Sequence, residues 1–162
     1  MYANDGFREL GRQECLALLA TVPVGRVVYT RQALPAVFPV NFALDADGAV
    51  LLRTSADSAL ARAVDGAVVA FEADEVDATA YSGWSVVVTG RAAVVTDTAE
   101  RERLERIGPQ PWVPSPEEAL MRIGPELVTG RELVGGRTMY GVRLSARTPV
   151  PAAGAGDRPA PG

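Results

Sequence analysis

Residues 11–20, GRQECLALLA, set Cys15, Leu16, Leu18 and Leu19 at helical spacing, and Pro23 marks the limit of that short amphipathic helix. From Val24 the period changes. VGRVVYT (24–30), rich in β-branched and aromatic residues, predicts a strand. AVFPVNFAL (36–44) predicts a second, with Val40, Phe42 and Leu44 on one face. DADG (45–48) is a turn, because Asp-Gly tolerates the positive φ of tight hairpins, and AVLLRT (49–54) returns as a third strand.

A short helix is expected over 55–65, capped by Ser55 or Asp57, with Leu60, Ala61 and Val64 as its apolar face and Gly66 as its stop. AVVAFEA (67–73) predicts a fourth strand, 74–83 an acidic connecting loop, and WSVVVTGRAAVVT (84–96) a long fifth strand in which Gly90 marks a bulge or bend. Asp97 and Glu100 have capping-box spacing and open a helix that runs to Arg106. A proline-rich loop (109–116) surrounds Trp112. ALMRIG (119–124) and ELVTGREL (126–133) predict a last strand and its extension. About six strands with tight turns favour an antiparallel sheet, and a closed barrel removes the edges such a sheet leaves. One domain over 1–145 is expected. The last 17 residues, 146–162, of which 12 are Ala, Pro or Gly, read as a disordered tail.

Composition narrows the chemistry. There is no His, and all 16 basic residues are Arg. Ser-His-Asp and Cys-His catalysis, His-ligated metal or haem, and Schiff-base lysine chemistry are therefore excluded. With a net charge of −4 and Arg spread along the chain, nucleic acid is not expected as a partner. No apolar run approaches the ~20 residues of a membrane helix, and no signal core opens the chain, so a cytoplasmic protein is expected. Cys15, the single cysteine, reads as a small buried side chain rather than a reactive thiol.

Three segments can carry a site. In LLRTSADSALARA (51–63), Arg53 and Thr54 end a strand and Ser55 and Ser58 lie at a helix start. Unpaired N–H groups, an Arg and hydroxyls suit a phosphate, although a capped helix with a surface arginine reads the same way. Asn41 falls inside the apolar strand FPVNF (38–42), where its amide can both donate and accept at the edge of a heterocycle or simply face solvent. In GWSVVVTGRA (83–92), Trp84 and Ser85 can meet a ligand's ring and polar atoms, or Trp84 can pack in the core. The carboxylates Asp74, Glu75 and Asp77 read as a solvated acidic face.

Taken in order, RQECLALL, VPVGRVVY, FPVNFALDADGAVLLRT, SADSALARA, VVAFEAD and GWSVVVTGRA resemble the pyridoxamine 5′-phosphate oxidase-like family of flavin-binding split β-barrels, in its small actinobacterial-type members. The resemblance covers about residues 9–133. It implies a mainly β fold with short helices, a split antiparallel barrel, and a homodimer that holds FMN at its interface. It implies a small organic substrate and an oxidoreductase that needs no side-chain nucleophile. Carried over, it gives Arg53, Thr54 and Ser58 for the phosphate, with Arg62 as partial compensation, and Pro39, Val40 and Asn41 along the flavin ring. Trp84 and Ser85 would approach the flavin, and the loop around Trp112 would close over it from the partner chain. Related sequences commonly read G-S-K-L at the helix start, where this chain has Asp57-Ser58-Ala59-Leu60. Losing that lysine costs a charge-assisted contact of roughly 1.5–3 kcal/mol. Two alternatives stay open: a deazaflavin-dependent reductase, and a non-catalytic split-barrel binding or sensing protein with weak or lost flavin binding.

Overall fold

The structure, a computed structural model, describes residues 7–112 and 114–133. Residues 134–145 of the expected domain and the predicted tail, 146–162, lie outside the described residues. The elements are β1 (Arg8–Leu10), α1 (Arg12–Leu19), β2 (Val24–Arg31), β3 (Leu34–Leu44), β4 (Val50–Ser55), α2 (Ala59–Val64), β5 (Val68–Asp77), β6 (Ser82–Val94), α3 (Thr98–Glu105), β7 (Glu118–Ile123) and β8 (Leu127–Leu133). Strand order is β1-β8-β6-β5-β2-β3-β4-β7, and β7 also pairs with β6. That extra pairing closes β6, β5, β2, β3, β4 and β7 into an antiparallel barrel, with β8 and β1 added as a flap along β6.

Alternation sorts the strands into an inner and an outer face. Val27 and Tyr29 of β2, Val40 and Phe42 of β3, Val69, Phe71 and Ala73 of β5, and Val86 and Val88 of β6 point inward and form the core. Phe71 is fully buried, and its ring lies 4.7 Å from that of Phe42, tilted by 59°. Helix α2 adds Leu60, Ala61 and Val64 to the same core. A second small cluster, Leu51, Val95, Leu104 and Leu120, holds α3 against the other face of β4 and β7. Cys15 is fully buried, its Sγ 3.8 Å from the Leu10 carbonyl, and burial pushes its thiol up, away from reactivity.

Several expectations are corrected. The acidic loop 74–83 is instead the end of β5, a turn, and the start of β6, with Asp77 opposite Ser82. The supposed last strand and extension are two strands: β7 pairs with β4 and β6, while β8 pairs with β6 and β1. The polar start of the chain supplies β1. The second helix begins later than expected, at Ser58, whose hydroxyl accepts from the Ala61 amide. Gly90 does mark a special position: it lies where β6, still paired with β5, passes from β8 to β7, and a Cβ there would sit 1.7 Å from the Gly124 carbonyl oxygen.

Asp45, in the β3–β4 turn, ties that hairpin to α3. Both terminal nitrogens of Arg103 donate to its carboxylate at 2.9 Å, and the Ala46 amide donates at 2.8 Å. The Arg103 hydrogen bonds hold this carboxyl below the usual range, against the opposite pull of burial. A lowered folded-state pKa means the pair is fully stabilising above about pH 4 and fades as pH falls further. Urea midpoints taken downward from neutral pH will therefore drop more steeply for the parent than for Asp45→Asn. Parallel acid losses in the two proteins would assign the acid sensitivity elsewhere.

Candidate functional site

The barrel is split beside β3. Strand β4 pairs with β3 only through Phe42–Leu44, then turns away to run along β7 as far as Ser55. Among the described residues no strand covers that side of β3 from Leu34 to Asn41. The Phe42 amide bonds to the Pro23 carbonyl at 3.2 Å, so even-numbered amides of β3 point to β2 and odd-numbered ones to the open side. Pro35 and Pro39 fall on odd positions and have no N–H to offer, as is usual for prolines at a sheet edge. Val37 and Asn41 are left as the amide donors of this edge.

At the far side of the split stand Thr54 and Ser58, their hydroxyl oxygens 3.1 Å apart. Ser58 caps α2, and Thr54, next to last in β4, falls on the inward-facing set of positions. Arg53, one residue earlier, points to the opposite face. There its Nη1 donates to Glu118 at 3.2 Å and its Nη2 to the Glu105 carbonyl at 3.2 Å, while its Nε is buried without a partner. Only 14% of its side chain is exposed. The expectation of a solvent-facing Arg53 beside the hydroxyls is therefore corrected: alternation along a strand separates adjacent side chains, and Glu118 has claimed the guanidinium. Arg62 lies on the hydroxyl side but donates to the Asp57 carbonyl, and Asp57 accepts from the Ser55 hydroxyl.

The other expected residues divide by face. Val40 is 8% exposed and its side chain belongs to the core, so it can meet a ligand only through its backbone. Pro39 and Asn41 point outward. The Asn41 side-chain amide donates to the Gln110 carbonyl at 2.6 Å, which anchors the proline-rich loop across β3 two residues before the exposed Trp112. Trp84 packs against the core, whereas Ser85 faces outward. The register carries Asn41 to Val24, and Asp74 to Ser85 and Arg131. Asn41 and Ser85 thus share one outer face, three strand spacings or about 14 Å apart. Arg26 lies between them, ion-paired with Glu72 at 2.9 Å and Asp74 at 3.5 Å. Sequence reasoning missed Arg131, which no local pattern distinguishes; only the β6–β8 register puts it beside Ser85.

Among the described residues no group of three His, Cys, Asp or Glu side chains is placed to hold a metal ion, and no helix is long and apolar enough to cross a membrane.

Residues 11–132 match the model of a family described as pyridoxamine 5′-phosphate oxidase. Rv0080, an uncharacterised protein of Mycobacterium tuberculosis, is 46% identical over 131 residues, covering 78% of this chain and 85% of that one. A solved structure described as the FAD binding protein from Mycobacterium smegmatis superposes with a TM-score of 0.68 at 35% identity, over 77% of this chain and 98% of that one. A conserved protein of unknown function from Corynebacterium diphtheriae gives a TM-score of 0.67 at 35% identity, over 78% and 98%.

Proposed function

The chain belongs to the pyridoxamine 5′-phosphate oxidase family, and from that premise we propose that it is a flavoprotein oxidoreductase that holds FMN in the split beside β3. The observation that carries this reading is the parting of β4 from β3 beyond the Phe42–Leu52 pair, which leaves the edge of β3 uncovered and the Thr54–Ser58 hydroxyl pair on the diverging strand. A strand edge with amide donors at fixed spacing matches the polar rim of a planar ring system. Two hydroxyls next to a helix start match a phosphate, although the cation that usually assists is missing. Asn41 and the backbone of Pro39 and Val40 would orient the ring, Thr54 and Ser58 would take the phosphate, and the loop from Gln110 would shield one side from water. A bound flavin supplies the electron transfer, so the chain needs no side-chain nucleophile, in keeping with its lack of His and Lys.

A homodimer belongs to the same reading. The outer face carries a mostly apolar row, Val37–Val28–Ala70–Thr89–Leu127, aligned by the registers of four strand pairs. Val37 is 59% exposed and Leu127 58%, which suits a surface covered by a second copy. A second reading, weak or absent flavin binding, is supported by the engagement of both nearby arginines, Arg53 with Glu118 and Arg62 with Asp57.

Absorbance and light scattering on one sample separate the two readings. The purified protein, incubated with FMN and freed of unbound flavin by gel filtration, should keep a flavin band and scatter as twice 17.0 kDa. The double variant Thr54→Val, Ser58→Ala should bind FMN about tenfold more weakly, one charge-assisted hydrogen bond being worth that much. A parent that stays colourless with FMN sinks the flavoprotein reading. Tighter binding of FAD than of FMN keeps the flavin and overturns only the choice of FMN.

A further inference from the structure

A hollow of about 250 Å³ opens at the far end of the outer face, away from both the split and the apolar row. Its floor is Gly83, which sits between Val76 on β5 and Leu133 on β8 in the strand register and has no side chain to fill the space. The floor is fixed in that form, since a Cβ at Gly83 would meet the Glu75 carbonyl oxygen at 2.5 Å. The next row along the same face places Ser85 beside Arg131. Phe7 closes the remaining side, with the Arg131 guanidinium carbon 5.0 Å from its ring centre.

Arg131 differs from the other arginines around it. Arg8 is paired with Glu14 and Glu132, and Arg26 with Glu72 and Asp74. Among the described residues no carboxylate lies within ion-pair distance of Arg131, although Glu9 is its cross-strand neighbour. Asp74, the acidic group in the lining, is engaged by Arg26 at 3.5 Å. The hollow therefore combines a cation without a counter-charge, an adjacent hydroxyl and apolar walls.

We infer that this hollow binds a small planar carboxylate, with Arg131 and Ser85 taking the carboxyl group and the ring lying over Gly83 between Val76, Leu133 and Phe7. An arginine fork and a hydroxyl match the two oxygens of a carboxylate. The volume admits one ring with its carboxyl group. Arg131 and Ser85 lie outside the edge of β3 and the Thr54–Ser58 pair, so benzoate binding is measured on the protein without added flavin.

Benzoate is the probe, and benzamide, which has the same shape without the charge, is its control. Each is titrated into the intact protein, followed by NMR shifts and by Trp84 fluorescence. Benzoate should bind saturably to the parent, and benzamide at least tenfold more weakly. Arg131→Gln, an exposed position, should remain folded and lose about tenfold or more in benzoate affinity. Val76→Trp, which fills the hollow and keeps the arginine, should lose benzoate as well. Failure of benzoate to bind the parent overturns the inference. So does equal binding of benzoate and benzamide, or retention of benzoate by Val76→Trp, which would assign it to surface charge alone.

Discussion

Gly90→Ala should destabilise the protein by about 3 kcal/mol or more, lowering the melting temperature by about 10 °C. A Cβ at this position would sit 1.7 Å from the Gly124 carbonyl oxygen and 2.8 Å from its carbon. Both are backbone atoms, so no side-chain rotation relieves the clash. The two strands must move apart where β6 crosses from one arc of the barrel to the other, and the Gly124 amide bond to the Arg91 carbonyl, 3.0 Å long, would be lost with them. Gly124→Ala is the matched control: its Cβ would find only the Arg91 carbonyl oxygen, at an ordinary 3.8 Å. Thermal unfolding of the two variants checks the argument. Similar melting temperatures would mean that the crossing tolerates expansion and that closure does not depend on this contact.

The second large effect is expected at Arg53. Arg53→Ala should cost about 2–3 kcal/mol of stability, the scale of charge-assisted hydrogen bonds at a mostly buried site. It removes the donors to Glu118 and to the Glu105 carbonyl and leaves a carboxylate that is only 21% exposed without its partner. A cycle with Glu118→Gln should return a coupling of about 1 kcal/mol or more by urea denaturation. This outcome identifies Arg53 as a brace joining β4, β7 and α3. The opposite outcome, unchanged stability with FMN binding abolished, would make Arg53 the phosphate anchor and Glu118 its incidental neighbour.

Arg53 also illustrates where sequence stops being informative. An arginine two residues before a serine at a helix start reads as an accessible cation. The partner that withdraws it, Glu118, is 65 residues away and gives no local signal. The hairpin 36–54 was legible because its alternation and its Asp-Gly turn agree. The same alternation correctly grouped Val40 with Phe42, and the core position of Val40 follows from that grouping. The acidic run from Asp74 was not legible as a strand. Asp74 and Glu75 are poor strand formers, yet pairing with Ser85 and Trp84 and the ion pair of Asp74 with the cross-strand Arg26 outweigh that preference. β1 is three residues long and has no periodicity to detect; it exists because β8 offers an edge. The break between β7 and β8 was masked by apolar residues on both sides of Gly124 and Pro125. From the sequence, the site segments were found but not their facing: register alone decides that Ser85 shares a surface with Asn41 and Arg131, while Thr54 and Arg53 part.

Strand β6 hydrogen-bonds to β5 and β8 along most of its length and to β7 beyond Gly90. One continuous stretch of backbone thereby belongs to both arcs of the barrel. Neither arc can open without loosening the strand that holds the other, so amide protons on the two sides share a single opening event rather than two. The hairpin of β5 and β6, joined by a four-residue turn, forms from local contacts. Closure by β7 needs a loop of more than twenty residues that includes α3, a longer-range contact than the hairpin and one with a larger closure entropy.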